Sequence, residues 1–591
     1  MPYFPTVEES KTYQQVTDVF KGYNNNLKIE DGEFRDMQNL TSEYFPMLAN
    51  RKKRGVMSTV LTAPGGMLAK EALAYVDNGK LYYNGYEVTG LTLSDGEKQL
   101  VSMGAYLLIW PDKVYLNTKD LTDFGSMESS FSADCAASGV RYDICDSSGA
   151  VIQNIATSQP EDPEGGQYWL DTTEKNHSLR QYSASSATWI TVASTYVRIQ
   201  ATGIGEGFRQ YDGVTISGIA YSGESEDVRE QYDGLNGTKV IYAIDTENNY
   251  IVVVGLIDVA TAQTSGTLRV ERKVPDMDYV CEAQNRVWGC KYGMVDGKAV
   301  NELYCCKLGD FKNWNCFLGI STDSWAASVG SDGAWTGAVN YMGYPTFFKE
   351  DCIHKIHISS TGAHQVAETK GRGVQRGSYK SLCVVNEVLY YKGRSDICAY
   401  DGSFPSSVGD ALGDVRYFNA VAGGYGGKYY ICMMDSSEKW HLFVYDTERG
   451  LWHREDSTHA MCFTKMGDEL YYIDADAKKM VAVNGTQGTP ENDLSWYAVT
   501  GIIGYTTVEQ KYVSRFNLRM KLPVGSKADM YIQYDSDGVW HDCGHMEGVG
   551  TKSFMLPVRP RRCDHFQFRI EGTGDIRIYS FSKILETGSD V

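Results

Sequence analysis

The sequence lacks any long apolar run. The longest, residues 250–257, is far below the ~20 residues that a membrane-spanning helix needs, and its Ile-Val-Val-Val content is typical of a buried strand. The amino terminus has no charged segment followed by an apolar core, so we expect no secretory signal. We therefore expect a protein that is made in a cytoplasm and does not insert into a membrane.

The sequence is also short of positive charge. Its 56 Lys and Arg against 75 Asp and Glu leave a formal net charge of −19. A surface of that sign repels nucleic acid overall, although a local basic patch can still contact phosphate. The one dense basic run, RKKR at residues 51–54, is typical of a solvated loop. Contact with packaged nucleic acid or with an acidic partner is the alternative.

Close cysteine pairs of the C-x-x-C kind are missing as well. The 14 Cys are scattered, often at strand positions such as Cys383, Cys398 and Cys432, which predicts buried reduced thiols and few or no disulfides. His541, Cys543 and His545, with Cys563 and His565 further on, are residue types that bind zinc. Ligands at alternate positions of one strand lie too far apart to converge easily, so we expect no metal site and no cofactor.

No stretch carries a complete catalytic motif. GIGEG at residues 203–207 has the glycine spacing of a dinucleotide loop, but strand-like sequence follows where a helix is required. SDGAW at 331–335 and SDGVW at 536–540 resemble the Asp-box turn of sialidase-type propellers, which is structural even in those enzymes. The remaining candidates lack a catalytic context: Glu455, Asp456, His354, His357 and His453. We expect no enzyme activity and no catalytic residue.

What the sequence has in abundance is a recurring aromatic strand phrase. Tyr, Leu and Ile fill short runs bounded by Gly, Asp or Asn, the pattern of a strand flanked by turns. The copies lie at residues 79–85, 105–110, 388–393, 427–433 and 468–474. Recurrence at roughly 40–50 residues is typical of a propeller. We therefore predict an all-β fold built on an irregular β-propeller. The Tyr residues expected in blade interiors, themselves or through their Tyr neighbours, are Tyr82, Tyr390, Tyr430 and Tyr471.

Composition divides the chain into four parts. Residues 1–55 are polar and predict an extended N-terminal arm that makes subunit contacts through apolar anchors: Phe34, Met37, Leu40 and Phe45. Propeller sequence occupies 56–130 and 237–487. Between them, residues 131–236 predict an inserted β-rich module, connected through the Pro/Glu/Gly stretch at 160–166. Alternating apolar and polar residues predict a C-terminal antiparallel β-sandwich at about 495–591.

Several stretches of the sequence resemble phage proteins. The opening GYNNNLKIEDGEFRDMQNLTSEYFPMLANRKKRG (22–55) is similar to the start of tail-hub or packaged-DNA stabilisation proteins, which then wind into a β-propeller. CEAQNRVWGC (281–290), KLGDFKNWNCF (307–317) and the closing residues 562–591 resemble tail-region proteins of Firmicutes phages and prophages. Residues 165–192 resemble a small module that recurs in phage tail and fibre proteins.

The resemblance implies a non-enzymatic structural virion protein located in the tail. Such a hub- or adaptor-type component would assemble as a homo-oligomeric ring in the tail or neck and help to close or extend the DNA exit channel. Its implied partners are copies of itself and portal, adaptor, and tail fibre or spike proteins, with incidental contact to packaged DNA. A receptor- or glycan-binding tail protein that uses the inserted module is the alternative. A glycan hydrolase on a propeller is a third possibility.

Overall fold

The computed structural model describes residues 11–174, 177–359, 363–504, 509–548 and 550–587. This part of the chain is mostly β and forms eleven sheets, nearly all of them antiparallel. The predicted all-β class is therefore confirmed at this level. No helix in these ranges has the length and apolar character needed to cross a bilayer. Residues 1–10 of the predicted arm and 588–591 of the predicted sandwich lie outside the described residues.

The first strands belong to three different sheets. Five short strands come first: β1 (Thr12–Thr17), β2 (Gly22–Tyr23), β3 (Glu33–Gln38), β4 (Leu40–Thr41) and β5 (Leu48–Asn50). Next comes β6 (Gly55–Val60). Sheet one contains β7 (Pro64–Lys70), β8 (Ala72–Asp77), β9 (Lys80–Tyr83) and β10 (Tyr86–Thr92). Sheet two contains β11 (Gln99–Met103), β12 (Tyr106–Trp110), β13 (Val114–Asn117) and β14 (Phe124–Ser126).

A long insert follows sheet two. Its elements are β15 (Ser129–Asp134), α1 (Cys135–Ser138), β16 (Val140–Cys145), β17 (Ile155–Ala156), β18 (Tyr168–Asp171), β19 (Ser178–Ser183), β20 (Thr188–Thr191), β21 (Tyr196–Gln200), β22 (Gly213–Ser217), α2 (Glu226–Asp233), β23 (Gly237–Asp245), β24 (Tyr250–Val254), β25 (Thr261–Gln263) and β26 (Thr267–Arg272). β17 to β20 form a small four-stranded sheet, and the other strands form one sheet of eight in the order β15-β26-β22-β23-β24-β21-β16-β25.

Four more four-stranded sheets come after the insert. Sheet three contains β27 (Tyr279–Ala283), β28 (Arg286–Val295), β29 (Lys298–Cys305) and β30 (Trp325–Ser328). Sheet four contains β31 (Gly337–Tyr341), β32 (Tyr344–Phe348), β33 (Cys352–Ile358) and β34 (His364–Lys370). Sheet five contains β35 (Cys383–Val385), β36 (Val388–Lys392), β37 (Ile397–Tyr400) and β38 (Ser406–Ser407). Sheet six contains β39 (Tyr417–Tyr425), β40 (Lys428–Asp435), β41 (Trp440–Asp446) and β42 (Leu451–Asp456).

Sheet seven and a two-layered body complete the chain. Sheet seven contains β43 (Ala460–Met466), β44 (Glu469–Asp474), β45 (Lys479–Ala482) and β46 (Thr489–Pro490), together with β6. The last strands are β47 (Ser495–Thr500), β48 (Lys511–Leu522), β49 (Lys527–Tyr534), β50 (His541–Glu547), β51 (Gly550–Leu556), β52 (Phe566–Thr573) and β53 (Arg577–Thr587). Two short 3-10 turns, Tyr379–Ser381 and Asp410–Leu412, flank sheet five.

Sheets one to seven close into a propeller-like ring. The first strand of each sheet contacts the first strand of the next sheet, or the turn just before it, and β43 of sheet seven contacts β7 of sheet one. β6 pairs with β45, so a strand from the N-terminal part of the chain completes the last sheet. Tyr390, Tyr430 and Tyr471 are buried between sheets, and in the first copy Tyr83 is more buried than Tyr82. Their predicted position in sheet interiors is confirmed.

The N-terminal strands are part of the C-terminal body, so the prediction of an extended arm is wrong for the residues described. β1 and β5 pair with β53, and β3 pairs with β47, which gives a sandwich of two six-stranded sheets. Phe34, Met37 and Leu40 are buried in the sandwich core instead of facing a neighbouring subunit. The arm is too small to bury its apolar residues alone, and strands more than 450 positions away in its own chain cover them.

The insert is longer than predicted. Its first and last strands, β15 and β26, pair antiparallel with Ser129 opposite Arg272. β23 to β26 belong to its eight-stranded sheet, so the predicted end at residue 236 is wrong. The stretch at 160–166 lies between β17 and β18, inside the insert, and does not connect it to the ring. The insert core consists only of residues from 133 to 270.

Candidate functional site

The first candidate site is a polar cluster that crosses the centre of the ring. Lys380, in the turn before β35 of sheet five, places its Nζ 2.8 Å from Glu97 Oε1 in the segment before β11 of sheet two. Lys380 Nζ also donates to the carbonyl oxygen of Met461 in sheet seven at 2.9 Å. The Tyr379 hydroxyl donates to Glu97, and its ring packs on Tyr279 of sheet three. Sheets two and five are not neighbours, so these contacts must span the axis.

The electrostatics of this axial cluster keep Glu97 ionised. Burial alone would raise the pKa of Glu97, but the Lys380 ammonium and the hydrogen bonds from Lys380 and Tyr379 outweigh it, so the pKa lies below its usual value. Burial and the Glu97 charge raise the pKa of the Tyr379 phenol. The cluster is therefore a fixed ion pair with a phenol donor. No local sequence motif predicts this axial cluster, because Glu97 and Lys380 lie 283 positions apart in the sequence.

The second candidate site is the basic run at residues 51–54. The Arg54 guanidinium contacts Glu455 Oε2 at 2.6 Å and Asp456 Oδ2 at 2.8 Å, and Arg51 NH1 contacts Glu491 Oε2 at 2.7 Å. Both Arg side chains are buried. Burial alone would raise the pKa of Asp456, but Arg54 and Arg51 lower it to about 2.

For the two arginines, the arrangement contradicts both sequence interpretations of this run, whereas the Lys52 and Lys53 side chains are exposed. Neither Arg is solvated, and neither is available to nucleic acid, because acidic side chains from β42 and the segment after β46 neutralise them. Lys52 pairs with Glu43 at 2.8 Å, and Lys53 pairs with Asp493 at 2.7 Å. The basic run therefore joins the sandwich to sheets six and seven. Glu455 and Asp456, which lacked a catalytic context in the sequence, are the acidic half of this junction.

The third candidate site is a cleft of about 780 Å³ in the insert. It lies between the loop that follows β18 and helix α2, whose Ser225 side chain caps the helix by accepting from the Val228 N–H. Gln231 Oε1 accepts from the Asp258 N–H at 3.0 Å, which fixes one wall. Polar residues dominate the lining: Thr172, Thr173, His177, Asp227, Glu230 and Asp258. Such a surface fits a polar ligand better than an apolar one.

Aromatic residues stand on the small sheet beside this cleft. Trp169 on β18 and Trp189 on β20 pack at 5.5 Å between ring centroids, and Tyr182 packs on Trp189 at 5.3 Å. Arg180 lies over the Trp169 ring. β19 pairs with both neighbours, with Leu170 opposite Leu179. The aromatic residues thus support a three-stranded meander, to which β17 adds a fourth strand in parallel.

The dinucleotide-loop and zinc candidates do not form the sites that their sequences suggest. Residues 203–207 form turns between the strands β21 and β22, without the helix that a dinucleotide loop requires. His545 contacts Asp529 and Glu547 on the surface of the sandwich, whereas Cys543 and Cys563 are buried. In the described part of the chain, the metal-ligating side chains that converge are instead Cys352, His354 and Glu368 on sheet four.

The two Asp-box-like turns differ from each other. Trp335 is buried, and its indole N–H donates to the Lys291 carbonyl oxygen at 3.3 Å. In the second turn, Asp537 Oδ1 accepts from the Val539 N–H at 2.9 Å, and Trp540 stays partly exposed. His453 is buried beneath the N-terminal segment, and burial lowers its pKa to about 3. All fourteen cysteines are free thiols.

Comparison with known proteins identifies no family for this chain. No model of a known protein family matches the chain, and no curated protein matches it. An exo-β-1,3-galactanase from Phanerochaete chrysosporium is 9% identical and covers 51% of this chain and 94% of its own, with a TM-score of 0.22. A putative 6-phosphogluconolactonase from Bacteroides uniformis is 9% identical, with coverages of 71% and 99% and a TM-score of 0.24. AztD from Citrobacter koseri is 10% identical, with coverages of 75% and 97% and a TM-score of 0.26. These TM-scores carry no argument about activity.

Proposed function

We propose that the protein is a non-enzymatic structural component of a bacteriophage tail, a β-propeller subunit of the hub or adaptor type that assembles as a homo-oligomeric ring. The sequence resemblance at both ends of the chain supports this function. The single structural observation that carries it is the interlocking of the two chain ends. Strands from residues 12–60 complete both the sandwich and sheet seven, so neither body can open without losing strands of its own sheets.

Interlocking suits a part that bears load in a particle. If the last sheet of the propeller-like ring were incomplete, neighbouring sheets could separate at its open edge. The pairing of β6 with β45 completes that sheet. The buried junction of Arg51 and Arg54 with Glu455 and Glu491 adds charge pairs at the same place. The axial cluster crosses the centre of the subunit, so a channel for DNA would lie between subunits and not through one ring of sheets.

The sandwich offers edges for contact between subunits. β1 pairs with β53, and its other edge has no partner among the described strands; Tyr13 and Val16 are 44% and 56% exposed there. β51, with Met555 exposed, is the edge at the opposite side of the same sheet. Adding β1 of one copy to β51 of the next is a head-to-tail contact, which closes a ring when the rotation permits. The subunit contacts that we assign to the N-terminal segment are therefore limited to β1.

The experiment that tests this function compares assembly states. Native mass spectrometry and negative-stain microscopy of the full chain should show a closed ring. The double variant Tyr13→Lys/Val16→Lys should be a folded monomer, because lysines on an edge strand oppose pairing. Met342→Lys is the control, since Met342 is 61% exposed at the turn between β31 and β32 of sheet four, outside the sandwich. A monomeric wild type, or a ring that survives in the double variant, would contradict the proposal.

The insert cleft favours a second candidate function, recognition of a receptor or glycan on the host. A polar cleft of about 780 Å³ beside a sheet that carries the half-buried Tyr182 and Trp189 is a surface that a sugar could occupy. A glycan array with the full chain would test it, with Glu230→Gln in the cleft and Glu247→Gln outside it as control. Binding that is lost only in the cleft variant, from a protein that forms no ring, would favour this candidate over the first.

A further inference from the structure

Sheet four brings together three side chains that neighbour one another only in the folded protein. Cys352 and His354 lie two positions apart on β33, so they share one face of the sheet. Glu368 on β34 is directly opposite His354 in the antiparallel ladder. Side chains directly opposite each other on neighbouring strands also share a face. The register of β33 and β34 therefore gathers a thiol, an imidazole and a carboxylate at one place.

The distances within this cluster are close to those of a metal site. The three candidate ligand atoms, Cys352 Sγ, an imidazole nitrogen of His354 and a carboxylate oxygen of Glu368, all lie within 4.8 Å of one another. His354 Nε2 and Glu368 Oε2 are 3.5 Å apart. Two ligands on a tetrahedral zinc at bond lengths of about 2.0–2.1 Å are about 3.3 Å apart. The Ser331 hydroxyl, 3.0 Å from His354 Nε2, lies on the same side.

Burial also holds the ligands in place. Cys352 and His354 are 4% and 0% exposed, and the Trp335 ring packs on the imidazole at 5.0 Å and fixes its orientation. The Glu368 side chain is 35% exposed, so the cluster is open to solvent on one side. Lys349 Nζ donates to the Ser331 carbonyl oxygen and to Asn301 Oδ1. Among the described residues, the partner of the Glu368 carboxylate is the His354 imidazole, and no Lys or Arg side chain pairs with it.

We propose that Cys352, His354 and Glu368 form a zinc site on sheet four, with the Ser331 hydroxyl or a water as the fourth ligand. A thiolate, a neutral imidazole and a carboxylate are the ligand types that zinc prefers. Zinc binding releases the thiol proton of Cys352 to solvent as the Zn–S bond forms. No electron is transferred. The ion would join β33 to β34 at the side of sheet four that faces sheet three through Ser331.

The test uses the full chain after treatment with a chelator. Calorimetric titration with zinc chloride should show one ion bound per chain, and the melting temperature should rise with zinc concentration because zinc binds the folded state. Cobalt substituted for zinc should give a thiolate-to-metal charge-transfer band. Glu368→Gln should weaken zinc binding by more than about tenfold while keeping that band. Cys352→Ser should remove the band.

Two matched controls lie outside the cluster. Cys383→Ser changes a less buried thiol on β35, and Glu387→Gln changes an exposed carboxylate between β35 and β36, so both should bind zinc as the wild type does. Circular dichroism establishes that each variant is folded, and Glu368→Gln still tests the site if Cys352→Ser does not fold. Absence of zinc binding by the folded wild type, equal binding by Glu368→Gln, or a cobalt complex without the thiolate band would each overturn the proposal.

Discussion

Arg54 NH2 lies 2.6 Å from Glu455 Oε2, and only 2% and 6% of the two side chains are exposed. Arg54 precedes β6 of sheet seven, whereas Glu455 is in β42 of sheet six. The same guanidinium reaches Asp456, and the Arg54 N–H donates to Glu491 at 2.8 Å. A single residue of the N-terminal segment therefore connects two sheets of the ring with the segment that leads into the sandwich.

Arg54→Met should destabilise the protein strongly. Removing one member of a buried ion pair leaves its partners buried and uncompensated, which costs about 3–5 kcal/mol. Lys53→Met is the control, because its pair with Asp493 is largely solvated and should contribute little to stability. Urea unfolding followed by tryptophan fluorescence measures both changes. Equal losses in the two variants would show that the buried junction is not a special source of stability.

Stability should fall in acid through two groups whose folded pKa values lie below their ordinary values. The pKa of Asp456 is about 2 instead of 3.8, so its contribution is complete above about pH 4 and is lost as the pH falls towards 2. The pKa of buried His453 is about 3 instead of 6.5, so its contribution is complete above about pH 6.5 and is lost as the pH falls towards 3. In both cases the unfolded chain binds the proton more readily.

The histidine contribution can be separated from that of the carboxylates. Between pH 6.5 and 4.5, His453→Gln should lose less unfolding free energy than the wild type, because a glutamine side chain takes up no proton in this range. His541→Gln, at an exposed position on β50, is the control. The measurement is a series of urea titrations at fixed pH. If the unfolding free energy of His453→Gln fell with decreasing pH as steeply as that of the wild type, the prediction would be wrong.

Gly22→Ala should destabilise the contact between the N-terminal segment and sheet six. Gly22 has a φ of +80°, and a β-carbon there would lie 2.3 Å from the Trp452 carbonyl oxygen. Gly85 has a φ of +81° with no atom within 4 Å of the same position, so Gly85→Ala is a matched control. Gly85→Ala should lose only the free energy that it costs to hold an alanine in the left-handed backbone region, about 1–2 kcal/mol. A loss in Gly22→Ala no larger than in Gly85→Ala, in thermal melts, would refute the close packing.

The sequence predicts the sheets of the ring better than it predicts the ends of the chain. Each aromatic phrase pairs mainly with its immediate neighbours, as β40 does with β39 and β41, so local patterns suffice. β3 has its partner at β47, with Phe34 opposite Thr500, and no local pattern reveals such a distant strand. The end of the insert was missed for a related reason. β24 reads like a ring strand, although it pairs with β21 and β23 inside the insert.

The candidate sites depend on the same long-range register. The spacing of Cys352 and His354 is visible in the sequence, but the position of Glu368 opposite His354 depends on the turn between β33 and β34. Arg51 and Arg54 resemble a solvated basic loop because the acids that bury them lie about 400 positions later. A charge run alone gives no information on which acidic side chains will fold onto it.

The axial cluster should stabilise the ring more than a surface pair does. In a double-mutant cycle, Glu97→Gln and Lys380→Met should show a coupling energy of about 1–3 kcal/mol. The reason is that Lys380 Nζ contacts the Glu97 carboxylate, to which the Tyr379 hydroxyl also donates. The control cycle uses Glu87 and Lys80, an exposed pair on sheet one, which should couple much more weakly. Equal coupling in the two cycles would contradict the structural role of the axial cluster.

The insert should fold without the ring, and the ring without the insert. The insert has a hydrophobic core of its own, and the antiparallel pairing of Ser129 with Arg272 places its two ends side by side. A short Gly-Ser linker in place of residues 129–272 therefore spans the gap with little closure entropy. The main loss falls on Asn313, which bonds the Gly213 N–H and the Tyr211 carbonyl oxygen of the insert. Losing two such bonds costs about 1–3 kcal/mol.

Circular dichroism and thermal melts of the deletion variant and of the isolated insert test whether each folds without the other. The deletion variant should unfold cooperatively, and the isolated insert should do so too, because its hydrophobic core is made of its own residues. Asn313→Ala in the full chain is the matched variant, since it removes the same two bonds without removing the insert. Its loss of stability measures the contribution of these two bonds, and the deletion removes in addition the bond from Arg272 NH2 to the Met127 carbonyl oxygen. A deletion variant without a cooperative transition would mean that the insert is an integral part of the ring.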